Sequence, residues 1–276
     1  MRVETLPLTA RPAALDPLAA LPAEWDAWEE EPAHQVLVEE DGAVVGAVHV
    51  ALVSAAEAWL EGLRVRADRQ GAGIGRRLIA EGEALARRYG ARIARTAIPA
   101  HEYGAQAVAE RAGFRPVARA VVREAAIGTG PIDVSYDALV REAGAREGAA
   151  LAHWLKTGET LSAWRGLVPL GWRFRETVPE LVVGLAKDHR VLRAGETLEG
   201  VALFAVRRDT VVIHLVEGGP NVVPALVGAA AARGRERGAG RLALFAPDEA
   251  AVRDVRRDLR PHPWCPDGLV VVEKGL

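Results

Sequence analysis

"RVRADRQGAGIGRRLIAEG" (residues 64–82) places three glycines at alternate positions, after a strand-like run and before a helix-like one. These glycines are Gly71, Gly73 and Gly75. Glycine at a strand-to-helix junction lets the backbone approach a ligand with no Cβ in the way. Successive N–H groups at such a junction, together with the positive end of the helix dipole, favour phosphate. The pattern therefore predicts an anion-binding loop.

Two well-known phosphate loops are excluded by counting along this stretch. The Walker pattern requires Gly-Lys-Ser/Thr, and no lysine lies nearby. The dinucleotide fingerprint Gly-x-Gly-x-x-Gly fails from both starting points, because Arg76 holds the third glycine position counted from Gly71, and Leu78 holds it counted from Gly73. The loop must belong to another class of phosphate site.

The segments before the loop read as antiparallel strands. A first strand is predicted at residues 2–6, and residues 34–54 read as a hairpin with Asp41-Gly42 at its turn. Residues 57–67 read as a third strand. Period-two alternation predicts that one side of this strand carries Trp59, Glu61, Leu63 and Val65.

The segments after the loop alternate between helix and strand. A helix is predicted from Ile74 to Tyr89, with an apolar stripe and a stop at Gly90. A strand at 92–100, a short helix at 102–113 and closing strands at 114–127 follow. The predicted stripe consists of Ile74, Leu78, Leu85 and Tyr89.

The remaining pattern, Gln70-x-x-Gly73-x-Gly75, is flanked by "LRV" at residues 63–65 and followed by "AERAGF" at residues 109–114. This combination resembles the pyrophosphate loop and its surroundings in the GNAT-type acyl-CoA N-acyltransferase superfamily. The resemblance covers residues 1 to about 127. It implies an α/β fold with a mixed, largely antiparallel twisted sheet flanked by helices.

The resemblance implies acetyl-CoA as co-substrate, with its pyrophosphate held by backbone N–H groups of the loop. In this family the pantetheine arm pairs with the third strand, whose N–H groups also stabilise the oxyanion. Arg77 joins Arg76 as a candidate for the outer phosphates. The residues assigned to coenzyme A are Leu63, Arg64, Val65, Gln70, Gly71, Ala72, Gly73, Ile74, Gly75 and Arg76.

The implied reaction is direct transfer of the acetyl group to an amine, with Glu61 as the leading base and Glu57 as a weaker alternative. The position of the family's usual tyrosine acid falls on Ala109, and that of its usual asparagine falls on Glu102. A methyl group cannot protonate a thiolate. Tyr103 or water must serve instead, or catalysis is slow.

Composition restricts the other classes of function. With 37 acidic and 35 basic side chains, a net charge of −2 offers no basic surface for nucleic acid and no polybasic membrane anchor. No apolar run has the length of a membrane span. The single cysteine, Cys265, precludes an internal disulfide framework, and no His/Cys/Asp cluster has the spacing of a metal site. We expect a cytoplasmic protein without a metal.

The second half of the chain repeats the order of the first. Residues 195–206 mirror 41–52, and residues 238–248 mirror 90–100. At the loop position, however, Pro220 and Pro224 lack the N–H groups that a phosphate cradle uses. With a linker at residues 128–133, the sequence predicts two domains. Residues 1–130 form a catalytic GNAT-like domain, and 131–276 form a degenerate copy with a structural or acceptor-site role.

The acceptor is left open by the sequence as a small-molecule or peptide amine, and so is the oligomeric state. Residues 12–31 read as helical, and Trp25 and Trp28 lie beside acidic residues in this segment. Aromatic rings and carboxylates together suit a cationic amine, and a solvent-exposed acidic helix face accounts for the same residues. Transfer of a longer acyl group, or to a protein amine, is an alternative within the same class. A different class is an acyl-CoA-binding regulatory or scaffold protein that has lost catalysis, which Ala109 motivates.

Overall fold

The computed structural model describes residues 2–7 (backbone only), 33–128, 140–253 and 255–276. The chain forms two compact units: residues 1–117 with 270–276 make unit 1, and residues 118–269 make unit 2. Unit 1 is therefore discontinuous, because its last strand follows unit 2 along the chain. Sequence reasoning placed the division at residue 130, which lies outside the described residues, as does most of the predicted linker.

Unit 1 consists of strands on either side of the glycine loop and two helices. The sheet order within the unit is β1-β2-β3-β4-β5-β15, in which β1 to β4 pair antiparallel and β4 pairs parallel with β5. Its elements are β1 Arg2–Pro7, β2 Ala33–Glu40, β3 Ala43–Leu52, β4 Glu57–Val65, α1 Ile74–Arg88, β5 Ile93–Pro99, α2 Tyr103–Arg111, the start of β6 Arg115–Ala126, and β15 Leu269–Gly275.

The hairpin that opens the described part of unit 1 forms as predicted. Asp41 and Gly42 take positive φ angles of 51° and 77°, which the two-residue turn between β2 and β3 requires. Helix α1 also begins at the predicted residue, and Gly90 ends it with a φ of 90°. Tyr89 does not extend the apolar stripe. It is 52% exposed, and its ring stacks on that of His34.

The predicted alternation along β4 is wrong beyond Glu61. Gly62 takes a φ of 60°, and the β3–β4 register shifts between Ala47 and His49, so a bulge interrupts the strand. As a result, Leu63 packs with Leu60 on the α1 side of the sheet, whereas Glu61 stays with Trp59 on the opposite face. A bulge inserts one extra residue into the strand, and a prediction from period-two alternation cannot anticipate this insertion.

Besides the rest of β6, the elements of unit 2 are β7 Arg141–Glu142, α3 Gly148–Leu155, α4 Glu159–Ala163, β8 Leu167–Leu170, β9 Arg173–Glu176, α5 Pro179–Lys187, β10 Val191–Ala194, β11 Gly200–Arg207, β12 Thr210–Gly218, α6 Val222–Glu236, β13 Arg241–Ala246 and β14 Arg260–Pro261. The sheet order is β6-β13-β12-β11-β10-β7, with β14 beside β6, and β8 and β9 form a separate hairpin. Trp164, before β8, and Trp172, between β8 and β9, are fully buried.

The two units repeat one structural motif. In each, two antiparallel pairings are followed by a long helix and a parallel strand: β2-β3-β4-α1-β5 in unit 1 and β10-β11-β12-α6-β13 in unit 2. The close helix contact also recurs. An added Cβ on Gly46 would lie 2.9 Å from Leu78, and one on Gly200 would lie 3.0 Å from Leu226. The predicted fold class, a mixed and largely antiparallel sheet flanked by helices, is confirmed.

Candidate functional site

The glycine loop adopts the backbone geometry of an anion cradle. Gly71 and Gly73 have φ angles of 82° and 80°, a region that side chains rarely adopt, and a Cβ on either would meet open space. Gly73 is the N-cap of α1, and no side chain caps the helix. The glycines therefore serve the backbone path and leave the start of the helix accessible.

Four N–H groups at the loop and the helix start are available to a ligand, whereas those of Gln70 and Ala72 donate to the carbonyls of Ala67 and Arg69. Within the described residues, no hydrogen bond is donated by the amides of Gly71, Gly73, Ile74 or Gly75, whereas Arg77 donates to the carbonyl of Gly73 at 3.1 Å. The first amides of any helix lack intrahelical partners. Here they coincide with the positive end of a 15-residue helix.

A basic groove of about 600 Å³ adjoins the start of α1. Four cationic side chains line it, namely Arg76, Arg77, Arg111 and Lys274. Sequence reasoning found the first two and missed the others. Lys274 gave no signal because it follows unit 2 in the chain and reaches the groove only through β15.

One carboxylate balances the cations of this groove. Glu83, buried on α1, accepts two hydrogen bonds from Lys274 Nζ at 2.7 and 2.8 Å and lies 3.5 Å from Arg87. This ion pair joins β15 to α1. It leaves Arg76, Arg77 and Arg111 to set the positive charge of the groove.

β4 and β5 separate beyond a short ladder. They pair in parallel from Glu57 with Ile93 to Trp59 with Arg95, and the ladder ends there although both strands continue. From Leu60 onward, β4 therefore no longer pairs with β5. The predicted pantetheine-binding residues 63–65 lie on this part of β4, directly before the glycine loop.

Glu61 lies on the face of the sheet opposite α1 and is almost fully buried. Its Oε1 lies 2.9 Å from Nδ1 of His49, the residue opposite it on β3, which has no exposed surface. On the same face Glu57 forms a buried ion pair with Arg95, which also donates to Glu273. Glu57 is thus engaged as an ion-pair partner, and Glu61 is the carboxylate with an imidazole partner.

The candidate acids lie on α2. Ala109 is buried in the hydrophobic core of unit 1 with Phe114, so the position of the usual tyrosine carries only a methyl group. Tyr103 is the first residue of α2 and is 78% exposed, and Glu102 is its exposed N-cap. The assignment of Tyr103 as an acid stays a prediction.

The corresponding loop of unit 2 is closed by its own backbone. The N–H groups of Val222 and Val223, at the start of α6, both donate to the carbonyl of Gly219, at 2.9 and 3.0 Å. Pro224, the third residue of the helix, has no N–H. Few amides at this helix start are left for a phosphate.

The strand edge of unit 2 is also occupied. The Thr160 hydroxyl, on α4, donates to the carbonyl of Val216 on β12, and Glu217 accepts from the Thr160 N–H at 2.8 Å. The adjoining cavity of about 530 Å³ is lined by three carboxylates, namely Glu159, Glu217 and Asp248. The charge of this cavity is opposite to that of the groove in unit 1.

The described residues offer neither a candidate metal site nor a membrane-spanning helix. No cluster of three or more His, Cys, Asp or Glu side chains there has the geometry of a metal site. No helix in the same part of the chain is long and apolar enough to cross a membrane.

Residues 4–114 match the acetyltransferase (GNAT) family, which confirms the resemblance noted in the sequence. Among solved structures, a GCN5-related N-acetyltransferase from Sphaerobacter thermophilus is 18% identical, with a TM-score of 0.65 over 99% of this chain and 95% of that one. A tandem GNAT protein from the clavulanic acid biosynthesis pathway is 16% identical, with a TM-score of 0.60 over 99% and 98%. These likenesses extend the fold over both units. No curated protein matches the chain by sequence.

Proposed function

Since residues 4–114 match the acetyltransferase (GNAT) family, we propose that the chain is an acetyl-CoA-dependent N-acetyltransferase. The acetyl group passes directly from the thioester to an amine of a small molecule or peptide. The observation that carries the proposal is the set of unbonded amides at the start of α1, beside a groove lined by four cations.

The loop binds the pyrophosphate of coenzyme A. The unbonded amides of Gly71, Gly73, Ile74 and Gly75 donate to its oxygens, and the helix dipole adds about half a positive charge at the same point. Arg76 and Arg77 in the first turn of α1 supply charge-assisted contacts to the phosphates. Because glycine removes the Cβ from this approach, the phosphate oxygens can reach the backbone.

The pantetheine arm runs along the edge of β4, where residues 63–65 lie beyond the ladder with β5. An extended ligand gains main-chain hydrogen bonds there as an added strand would. This path carries the thioester toward Glu61. A backbone N–H of β4 then faces the carbonyl oxygen and stabilises the charge that develops on it.

Glu61 is the base. The acceptor nitrogen must lose a proton before it attacks, and the carboxylate takes this proton directly or through one water. The departing thiolate takes a proton from Tyr103 or from water, because Ala109 offers none. A positioned acid contributes roughly 10² to 10⁴ in rate, so its absence slows transfer without abolishing it.

Unit 2 has a structural role in this account. Its helix start is bonded to its own loop, and carboxylates line its cavity, so both features disfavour a polyphosphate. We assign one coenzyme A site to the chain, in unit 1.

A second candidate function is a non-catalytic acyl-CoA sensor or scaffold. The buried methyl group of Ala109 at the acid position favours it. Such a protein retains the loop and the groove, and it binds acyl-CoA with no turnover.

The deciding experiment measures thiol release from acetyl-CoA against a panel of primary amines, with coenzyme A binding measured in parallel by calorimetry. Turnover that falls in Glu61→Gln and Tyr103→Phe, with unchanged binding, supports the enzyme and both assignments. Binding without turnover on any amine supports the sensor. Absence of binding contradicts both functions.

A further inference from the structure

Glu61 belongs to a buried polar row that crosses three strands. The β-sheet register places Gln35 of β2 opposite His49 of β3, and His49 opposite Glu61 of β4. Directly opposed residues share a face of the sheet and lie about 5 Å apart. All three are buried among apolar neighbours such as Trp59. A carboxylate and an imidazole are expensive in such a place unless they satisfy each other.

The row has the character of a working site. The side-chain amide of Gln35 and the indole N–H of Trp59 have no hydrogen-bond partner within the described residues, although neither side chain is exposed. Buried polar groups in native proteins are almost always hydrogen-bonded. Gln35 lies opposite His49, and Trp59 lies two residues before Glu61, so these two groups flank the contact between His49 and Glu61.

We propose that His49 is a positioning residue that joins Glu61 in a single buried acid–base pair, and this proposal rests on the proposed function. The imidazole donates its Nδ1–H to Glu61 Oε1 across 2.9 Å. This bond orients the carboxylate and holds it ionised, ready for a proton. Once the carboxylate takes one, the imidazole shares it, so the two groups titrate as a unit.

The proton balance closes with this pair. An acceptor ammonium gives one proton to Glu61, and its nitrogen then forms the bond to the acetyl carbon. As the carbon–sulfur bond breaks, Tyr103 or water gives a proton to the thiolate and regains one from the nitrogen. The products are the amide and the free thiol, and the proton on the pair returns to solvent.

Other charged groups on this face include a permanent cation and an ion-pair network. Arg64 follows the bulge on β4 and returns to the Glu61 face, opposite Ala47. Farther along, Glu57, Arg95 and Glu273 form an ion-pair network. Arg64 is the cation that β4 carries on the Glu61 face.

The first test is nuclear magnetic resonance of the full chain with ¹⁵N-labelled histidine, which requires no acceptor. The proposal predicts that Nδ1 of neutral His49 carries the proton, and that its signal moves in Glu61→Gln. His214 is a matched control, because it is buried on β12, the corresponding strand of unit 2, with Nδ1 bonded to the Pro169 carbonyl. We expect the His214 signal to be unchanged in Glu61→Gln. An unprotonated Nδ1 on His49, or a signal that ignores Glu61→Gln, overturns the proposal.

The second test is the pH profile of kcat/KM with acetyl-CoA and an amine that is turned over. His49→Asn keeps a donor near Glu61 but removes the titrating ring, so we expect at least about a tenfold loss at neutral pH. We also expect the acid limb to move to lower pH, because a carboxyl group alone titrates below an imidazole. His214→Asn leaves the profile unchanged. A uniform loss without movement of the limb means that His49 is only structural. Absence of coenzyme A binding contradicts the proposed function and leaves the resonance test to decide this proposal.

Discussion

Each unit has its own antiparallel strands, a helix packed on a glycine and a parallel strand, yet the clefts of the two units have opposite chemistry. Unit 1 presents unbonded amides and four cations at its helix start. Unit 2 bonds the corresponding amides to Gly219 and lines its cavity with carboxylates. The packing that holds the fold is retained in both, whereas the ligand chemistry depends on a few loop residues. The same structural motif can therefore carry clefts of different chemistry.

The largest expected effect separates the strand carboxylates of the two units. We expect Glu61→Gln to lower kcat by about 10² to 10⁴, because the amide cannot take the ammonium proton. Coenzyme A affinity stays unchanged, which calorimetry checks beside the kinetic assay. Glu217→Gln on β12 is the matched variant and leaves kcat unchanged. Equal losses in both would remove the functional distinction between the units.

A smaller effect tests the repeated helix contact. Gly46→Ala places a Cβ 2.8 Å from Ile74, and Gly200→Ala places one 2.5 Å from Val222, so both overpack a core. We expect each to destabilise the chain by about 1–3 kcal/mol, measured by calorimetric unfolding without ligand. Because Ile74 begins α1, only Gly46→Ala should also weaken coenzyme A binding.

A control for that pair is Gly184→Ala on α5, where a Cβ meets open space. The substitution replaces glycine inside a helix and should raise stability by about 0.5–1 kcal/mol. Unchanged stability in Gly46→Ala and Gly200→Ala would mean that α1 and α6 shift at no cost to accommodate the added Cβ. The repeated contact would then not be tight.

Another small effect is confined to unit 2 and depends on pH. Hydrogen bonds from Arg141 and the Gly144 N–H, with help from Arg193, lower the pKa of Glu147 from 4.5 to about 2. Its stabilising contribution is therefore complete above pH 4.5 and is lost as the pH falls toward 2. Near the surface this amounts to about 1 kcal/mol. In Glu147→Gln, stability measured by urea unfolding should lose that part of its pH dependence. An identical pH dependence of stability in the unaltered chain and in Glu147→Gln would contradict this role of Glu147.

Local signals predicted much of the fold. Asp41-Gly42 specified its turn, and the glycine loop and Gly90 fixed both ends of α1, because each depends on the conformation of one or two residues. Tyr89 was wrongly predicted to be in the apolar stripe of α1, because the helical spacing of apolar residues continues past the last buried turn. The return of β15 to unit 1 left no local signal, since strand pairing over such a separation depends on the whole fold.

The site was predictable where backbone chemistry defines it and less so where side chains meet across strands. The loop could be found from glycine spacing alone. His49 could not be joined to Glu61, because their contact depends on the β3–β4 register, which a bulge at Gly62 shifts. A polar residue inside the apolar run "AVHVAL" (residues 47–52) was the available hint.

The most direct measurement is calorimetric titration of the intact chain with coenzyme A, comparing Gly73→Asp with Gly219→Asp. Both substitutions place a carboxylate in a loop where a Cβ meets open space, one in each unit. The account predicts one site per chain, a loss of at least about 100-fold in affinity for Gly73→Asp (about 2.7 kcal/mol), and no change for Gly219→Asp. Two sites in the unaltered chain, or full affinity in Gly73→Asp, would contradict it.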